Sequence, residues 1–359
     1  MSSVAPHLAQ LGACARPAGS AAADAARRYC ATVLREAGFT TSEQPFEYSQ
    51  FGGRWAAPVA GLVIPLAASG LVLGARDGAS ARSLILAAIV AAILVAGLLR
   101  YVGGRGVLEA PLLRARGVNL QAVRGRGEPR VWLIAHIDSK WQPVSMLMRV
   151  AGVVIAAIGV AGVIVCTVAA KLGAEALVFA GVTWLGGIPL MVSVVGSENH
   201  GTLDNASGVA AVLTAAEKVP RHIAVGIMIT DAEELALAGA RAWARAGAPA
   251  IGLNCDSVDD NGRLALMYTG REPTRAIAAV RRAAVQSNEP VRVMRLPPGI
   301  LTDSVALAQA GWHTVTLSRG DLRTLHRIHT RADSLAGMRG TGIPVAADVL
   351  ARAASELAR

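Results

Sequence analysis

Charge is absent from four long runs of the chain: Trp55–Ala75, Ser83–Leu99, Val150–Ala170 and Ala176–Ser197. A helix needs about 20 apolar residues to cross a bilayer, with about 17 near the lower limit. Each run is therefore long enough for one transmembrane helix. The runs form two pairs, closed by the short polar loops Arg76–Arg82 and Lys171–Glu175. Each pair predicts a helical hairpin that leaves and re-enters on the same side. Trp55–Ala75 holds Pro58, Pro65 and three glycines, which membrane helices accommodate because neighbouring groups re-satisfy the freed backbone. The competing reading, two buried core hairpins of a large soluble protein, accounts poorly for four such runs in paired order.

Two hairpins cross a membrane an even number of times, so the polar segments share one compartment. The expected organisation is one interrupted domain built from residues 1–54, 101–149 and 198–359, with hairpins at 55–100 and 150–197. Within the polar segments the period changes from element to element. Ala21–Ala37 has apolar residues at helical spacing and stops before Gly38, a good helix terminator. Thr40–Ser49 and Gly117–Arg124 alternate like strands, and Arg130–Ala135 is a buried apolar strand. After the second hairpin the pattern predicts helices at Ala206–Lys218, Leu235–Ala246, Ala276–Ser287, Ser304–Ala310 and Ile343–Ala358. Strands are predicted at Ile223–Thr230, Ile251–Asp256 and Thr314–Ser318. Strands alternating with helices indicate a three-layer α/β/α sandwich with a mainly parallel mixed central sheet.

Composition sharpens the membrane reading. Of 359 residues, 53% are hydrophobic and only 17% charged, against roughly 25% charged in an average soluble domain. The net charge is +10. Arg54, Arg100, Arg105, Arg114, Arg116 and Arg149 flank the runs on the shared side, whereas the hairpin loops offer Arg76, Arg82 and Lys171. By the positive-inside tendency the polar domain faces the cytoplasm, and arginines there are attracted to anionic headgroups. Met1–Ser20 lacks the basic start and apolar core of a signal peptide. Cys14, Cys30, Cys166 and Cys255 show neither metal spacing nor a disulfide framework. With 4% aromatic residues and no aromatic interleaving, no nucleic-acid partner is expected.

In open α/β sheets ligands bind at the carboxyl ends of the strands, and the candidate chemical residues fall there. His136 and Asp138 (AHIDS) follow one strand; Asp231, Glu233 and Glu234 (TDAEE) follow another; Asp256 (NCDS) ends a third. Asp204 lies in LDNASG before a helix, and His329 opens HTRAD. A lone Asp204 would be a helix cap, and AHIDS alone a polar loop. Clustered carboxylates after a buried strand repel one another unless a cation gathers them. Two histidines and three carboxylates suit a pair of zinc ions sharing a bridging carboxylate.

The ordered set AHIDS, LDNASG, DAEELALAG, NCDS and HTRAD resembles the M28 family of zinc exopeptidases, aminopeptidase-like metallohydrolases, over essentially all of the polar sequence. The resemblance implies that His136 and Asp256 hold one zinc, that Glu234 and His329 hold the other, and that Asp204 bridges them. It implies Glu233 as general base and Asp138 as the partner orienting His136. The expected activity is a membrane-anchored aminopeptidase acting on peptides through a metal-bridging water. Amide deacylation, glutaminyl cyclisation on the same scaffold, or a catalytically silent membrane adaptor are the alternatives.

The chain also departs from that pattern. The hairpins are additions, the run after the glutamate pair is ALAGA (Ala236–Ala240) rather than GLxGS-like, and Thr302–Asp303–Ser304 stands where SDH-like triplets occur. His326 rivals His329 as a ligand, with the HT-x-x-D context favouring His329. His200, His222 and His313 lack motif support, and Cys255 is expected as a small buried hydrophobe. About ten residues join Ser139 to the second hairpin, a reach of at most about 35 Å. The metal site is therefore expected to open close to the membrane surface.

Overall fold

The computed structural model describes residues 4–169, 173–297 and 299–359. Its first elements are α1 (Val4–Leu11), α2 (Ala21–Glu36), β1 (Thr40–Ser49), α3 (Phe51–Arg76), α4 (Ala81–Val102) and α5 (Gly106–Glu109). Next come β2 (Arg114–Arg124), β3 (Val131–His136), α6 (Met146–Val168), α7 (Ala174–Met191), α8 (Ser207–Lys218) and β4 (Val225–Thr230). The chain closes with α9 (Ala238–Ala246), β5 (Ile251–Val258), β6 (Arg263–Tyr268), α10 (Thr274–Gln286), β7 (Val291–Arg295), α11 (Asp303–Gln309), β8 (His313–Gly320), α12 (Leu322–Arg327) and α13 (Ile343–Leu357). Two compact units result: Met1–Tyr48 with Arg114–Trp141 and Gly196–Arg359, and Ser49–Leu113 with Gln142–Val195.

The first unit is built on an eight-stranded mixed sheet in the order β1-β2-β4-β3-β5-β8-β6-β7. Its centre, β4-β3-β5-β8, is parallel, while β2 meets β4 and β6 meets β8 antiparallel. The central strands VWLIAH and VGIMIT are buried at every position, as strands covered on both faces must be. Helices α8 and α13 pack on β3 and β5, with α10 beside α13; α9 and α11 pack on each other and on sheet strands. This is the expected layered α/β fold. Under α9 and α11 lies an aromatic cluster. Trp243 sits 4.9 Å from Trp132 and 4.6 Å from Trp312, centroid to centroid, distances at which offset and edge contacts are favourable.

Several elements escape sequence patterning. Strand β7 (VRVMR) is a half-exposed edge with two arginines among five residues, and β6 joins it to β8. The helix expected from Leu235 starts only at Ala238, because Ala236 and Leu237 hold left-handed backbone conformations (φ +68° and +61°). The strand expected from Ile223 begins at Val225.

In the second unit, the charge-free runs coincide with four helices long and apolar enough to cross a membrane by length and composition. The last helix stops at Met191, short of the Ser197 expected from charge alone. Pro189 lies in its final turn, and the Ser193 hydroxyl donates to the Pro189 carbonyl at 2.6 Å. Part of the second hairpin loop, residues 170–172, lies outside the described residues. Helix α7 packs against both α3 and α6, and glycine makes this possible. A Cβ on Gly186 would stand 2.2 Å from Ala156 N, and one on Gly187 2.5 Å from Gly61 O. Such close backbone approach is how helices associate where no hydrophobic gain separates them from lipid. Trp184 Nε1 donates to Ser69 Oγ at 3.0 Å. Side chains of α4 such as Ile93 and Leu94 are about two-thirds exposed, at 65% and 67%.

Candidate metal centre

The parallel strands bring their carboxyl ends to one place. His136 is the last residue of β3 and pairs in register with Thr230, the last of β4. Asp231–Glu234 follow at once, and Asp256 lies in β5 where its register with β8 shifts. Asp204 comes from the turn Thr202–Ala206 leading into α8, and His329 from the segment after α12. The turn is tied to β5 through Asn205. Its Oδ1 accepts the N–H groups of Gly208 and Ser257, and its Nδ2 donates to the Cys255 carbonyl. Gly208 must be glycine, since a Cβ would stand 2.1 Å from Asn205 Oδ1 and 2.4 Å from the Cys255 carbonyl. Ala232, Ser257 and His329 are left-handed without being glycine. Strain of this kind concentrates at functional sites.

The ligand-type atoms form two buried groups, His136/Glu233/Asp256 and Asp204/Glu234/His329, each with its atoms within 4.8 Å of one another. Asp204 links them. Its Oδ1 lies 3.1 Å from His136 Nε2, and its Oδ2 3.2 Å from His329 Nε2. Glu234 Oε1 is 3.1 Å from His329 Nε2, while Glu234 Oε2 is 2.6 Å from Lys140 Nζ. Asp256 Oδ1 is 3.8 Å and Glu233 Oε2 4.0 Å from His136 Nε2, both farther than Asp204 Oδ1.

Asp138 works chiefly through its backbone contacts with the glutamates. Its Oδ1 and Oδ2 accept the N–H groups of Glu233 and Glu234. His136 Nδ1 lies 3.1 Å from the Asp138 carbonyl oxygen, closer than the 3.5 Å to its carboxylate. Asp333 Oδ1 and Oδ2 accept from Leu203 N and Asp204 N.

The residues fit a divalent cation. Glu234 Oε1 is buried and makes no hydrogen bond among the described residues, although His329 Nε2 lies 3.1 Å away. Buried polar atoms are otherwise nearly always hydrogen-bonded, and atoms that share a metal meet at such distances without donating to one another. The electrostatics agree. Burial opposes charge on His136, but Glu233, Asp138, Asp204 and Asp256 push it well above the ordinary imidazole range. Burial, reinforced by Glu234, Asp256 and Asp303, pushes Glu233 well above the carboxylate range against the pull of His136. Burial also raises Asp256, with Asp204 adding to it. Burial favours neutral Asp204 and Glu234, yet both are lowered: Asp204 by the two histidines, Glu234 to about 2 by His329 and Lys140. Without a metal, the carboxylates of the cage are balanced by Lys140 and by protons on His136, Glu233 and Asp256. A bound metal displaces the protons, as ligation by carboxylate and imidazole requires.

All five expected ligands, with Glu233 and Asp138, converge here. His326 is exposed on α12, as are His200, His222 and His313 at their own positions, whereas His329 is buried. Cys255 is buried and its thiol is pushed up by burial. Asp303 is buried nearby, with Oδ2 accepting from Thr230 Oγ1 and Oδ1 lacking a hydrogen bond among the described residues. Sequence reasoning passed over Lys140 and Asn205. A lysine directly after AHIDS, beside so many acids, was the available signal for the first.

Residues 188–354 match the model of Peptidase family M28, a stretch that contains Asp204, Glu233, Glu234, Asp256 and His329. Among solved structures, the aminopeptidase from Aneurinibacillus sp. strain AM-1 superposes with a TM-score of 0.60 at 14% identity, covering 99% of this chain and 93% of that one. The zinc aminopeptidase BSAP from Bacillus subtilis gives 0.56 at 13% identity, covering 98% and 94%. A glutaminyl cyclase from Fimbriiglobus ruber gives 0.56 at 14%, covering 98% and 93%. No curated protein sequence matches the chain.

Proposed function

We propose that this chain, whose residues 188–354 carry the pattern of Peptidase family M28, is a membrane-anchored di-zinc aminopeptidase. The single observation behind this reading is Asp204, whose two oxygens each face one histidine from opposite halves of the cluster, at 3.1 and 3.2 Å. That is how a carboxylate bridges two metals. His136 and Asp256 would hold one zinc and Glu234 and His329 the other. Zinc bound there would supply Lewis-acid polarisation of the scissile carbonyl and a lowered pKa for water.

The protein's own part is proton handling and alignment. Glu233 Oε2 takes the proton of the attacking water and delivers it to the leaving amine. Asp138 fixes the backbone of Glu233 and Glu234, holding base and ligand in one frame. Helices α3, α4, α6 and α7 anchor the chain as two membrane hairpins, with the polar unit on the cytoplasmic side. Their length and hydropathy and the arginine excess on the shared side support this.

Purified full-length protein in detergent should carry close to two zinc ions per chain and release an aminoacyl reporter. Glu233→Gln should keep the zinc and lose activity by roughly 10²–10⁴-fold. Protein that binds no zinc and cleaves no N-terminal residue would sink the proposal. The glutaminyl cyclase with the same fold sustains a second reading. A glutamine-initiated peptide separates them: an aminopeptidase frees glutamine, whereas a cyclase releases ammonia and leaves the peptide length unchanged.

A further inference from the structure

Lys140 is almost fully buried, with 10% of its side chain exposed, and its Nζ lies 2.6 Å from Glu234 Oε2. An ammonium group is rarely placed so deep without a purpose, because its desolvation must be offset by a partner. Its aim is fixed by the segment that carries it. Ser139 N donates to the Arg16 carbonyl, and the Ser139 hydroxyl to the Asn199 carbonyl. Asn199 Nδ2 donates to the Lys140 carbonyl, and Trp141 pairs with Gly196. Glu234 is thus divided: Oε2 belongs to Lys140, and Oε1 faces His329 at 3.1 Å with no hydrogen bond of its own among the described residues.

We propose that Lys140 is a positioning residue that makes the two metal sites unequal, forcing Glu234 to bind through Oε1 alone and weakening the Glu234/His329 site. The inference rests on the di-zinc reading above. The physical case has two parts. A lysine charge-paired with Oε2 removes the second carboxylate oxygen, so Glu234 cannot chelate. The same cation stands one carboxylate away from a divalent ion and repels it, an interaction that is strong away from bulk water. Among the described residues no lysine or arginine pairs with Asp256 as Lys140 does with Glu234; the buried cation on that side, Arg16, is held by the main-chain carbonyls of Leu11, Ile137, His200 and Gly201 rather than by a ligand carboxylate. The His136/Asp256 site should fill first and hold its ion more tightly. The Glu234/His329 site should exchange, so the chain would be half-loaded when zinc is scarce.

The test is a zinc titration of the full-length protein in detergent against a chromophoric chelator. Wild type should show two separated steps, and His329→Ala should remove the weaker one. Lys140→Met should tighten the weaker step by roughly tenfold or more, while Lys140→Arg, which keeps the charge and the contact, should leave it in place. Lys140→Gln serves if the methionine variant does not fold, because it keeps a donor for Oε2 while removing the charge; it should tighten the same step. Neutral variants that leave the weaker step unmoved, or loosen it, overturn the proposal while the di-zinc reading stands. Wild-type protein that binds no zinc overturns both.

Discussion

Asp138 Oδ1 accepts the backbone N–H of Glu233 at 3.0 Å. Its Oδ2 takes the next N–H along, that of Glu234, at 3.1 Å. A carboxylate expected to orient a histidine thus also sets the position of the proposed base relative to the proposed ligand beside it. The histidine ring meets the backbone carbonyl of the same residue. One residue after β3 therefore carries information between two strand ends.

Asp138→Asn should expose this double duty. An amide offers one acceptor oxygen, so one of the two glutamate N–H groups would face an NH₂ instead. Outer groups of this kind typically change metal affinity 10–100-fold when mutated. We expect zinc affinity to fall within that range and kcat to fall more than KM rises, with secondary structure unchanged by circular dichroism. A KM effect alone would argue against the clamp.

His326 and His329 give a sharper contrast. His329→Ala should remove one zinc per chain, because its Nε2 lies 3.2 Å from Asp204 and 3.1 Å from Glu234. His326→Ala, on the exposed side of α12, should leave metal content and activity within about twofold, as surface changes away from special features usually do. Metal analysis of the two purified variants decides it.

The stability of the metal-free protein should fall as pH rises. Burial holds Asp231, Asp303 and Asp333 up near 7, against about 3.9 in an unfolded chain. Between those values the folded state carries more protons than the unfolded one, so stability declines with rising pH. His136, raised by its carboxylate neighbours despite burial, contributes in the same sense, its stabilisation being lost as pH rises through its folded value. The lowered Asp204 and Glu234 act in the opposite sense only below about pH 4.5. Zinc reverses the trend, because ligation needs deprotonated groups. The melting-temperature difference between zinc-loaded and EDTA-treated protein should therefore widen from about pH 5.5 to about pH 8. A gap that narrows would contradict the metal-cage reading.

Much of this arrangement was legible in the residues. The central strands announced themselves because strands buried on both faces cannot alternate: VWLIAH and VGIMIT are apolar throughout most of their length, and their ends locate the cluster. The four apolar helices were legible too, because a chain surrounded by water rarely runs a whole membrane-spanning length without a charge. What escaped was decided by tertiary context. Edge strand β7 shows its arginines to solvent and takes its pairing from β6. The start of α9 depends on two left-handed residues, a backbone state that alanine and leucine do not advertise. A lysine after AHIDS signals a charge near the acids but not which one it meets, because Glu234 lies far away in sequence, and the main-chain partners of the Asp138 carboxylate are likewise set only by the fold.

The hairpin unit makes its own prediction, through two glycines with different surroundings. A side chain at Gly186 would drive into the α6 backbone, with Ala156 N 2.2 Å and Gly152 O 2.6 Å from the added Cβ. Gly70, on α3, has nothing within 4 Å of the same point. Both are glycines in apolar helices, so helix propensity and hydropathy change alike in Gly186→Leu and Gly70→Leu, and only packing differs. Forced overpacking costs about 1–3 kcal/mol. In detergent, Gly186→Leu should melt several degrees below wild type and lose solubility on brief heating, while Gly70→Leu should match wild type or exceed it. Equal losses in the two variants would mean that the effect comes from glycine replacement itself. Loss confined to Gly186 would tie the stability of the hairpin unit to close backbone contact between α6 and α7, the kind of contact that lets helices associate without a hydrophobic gain.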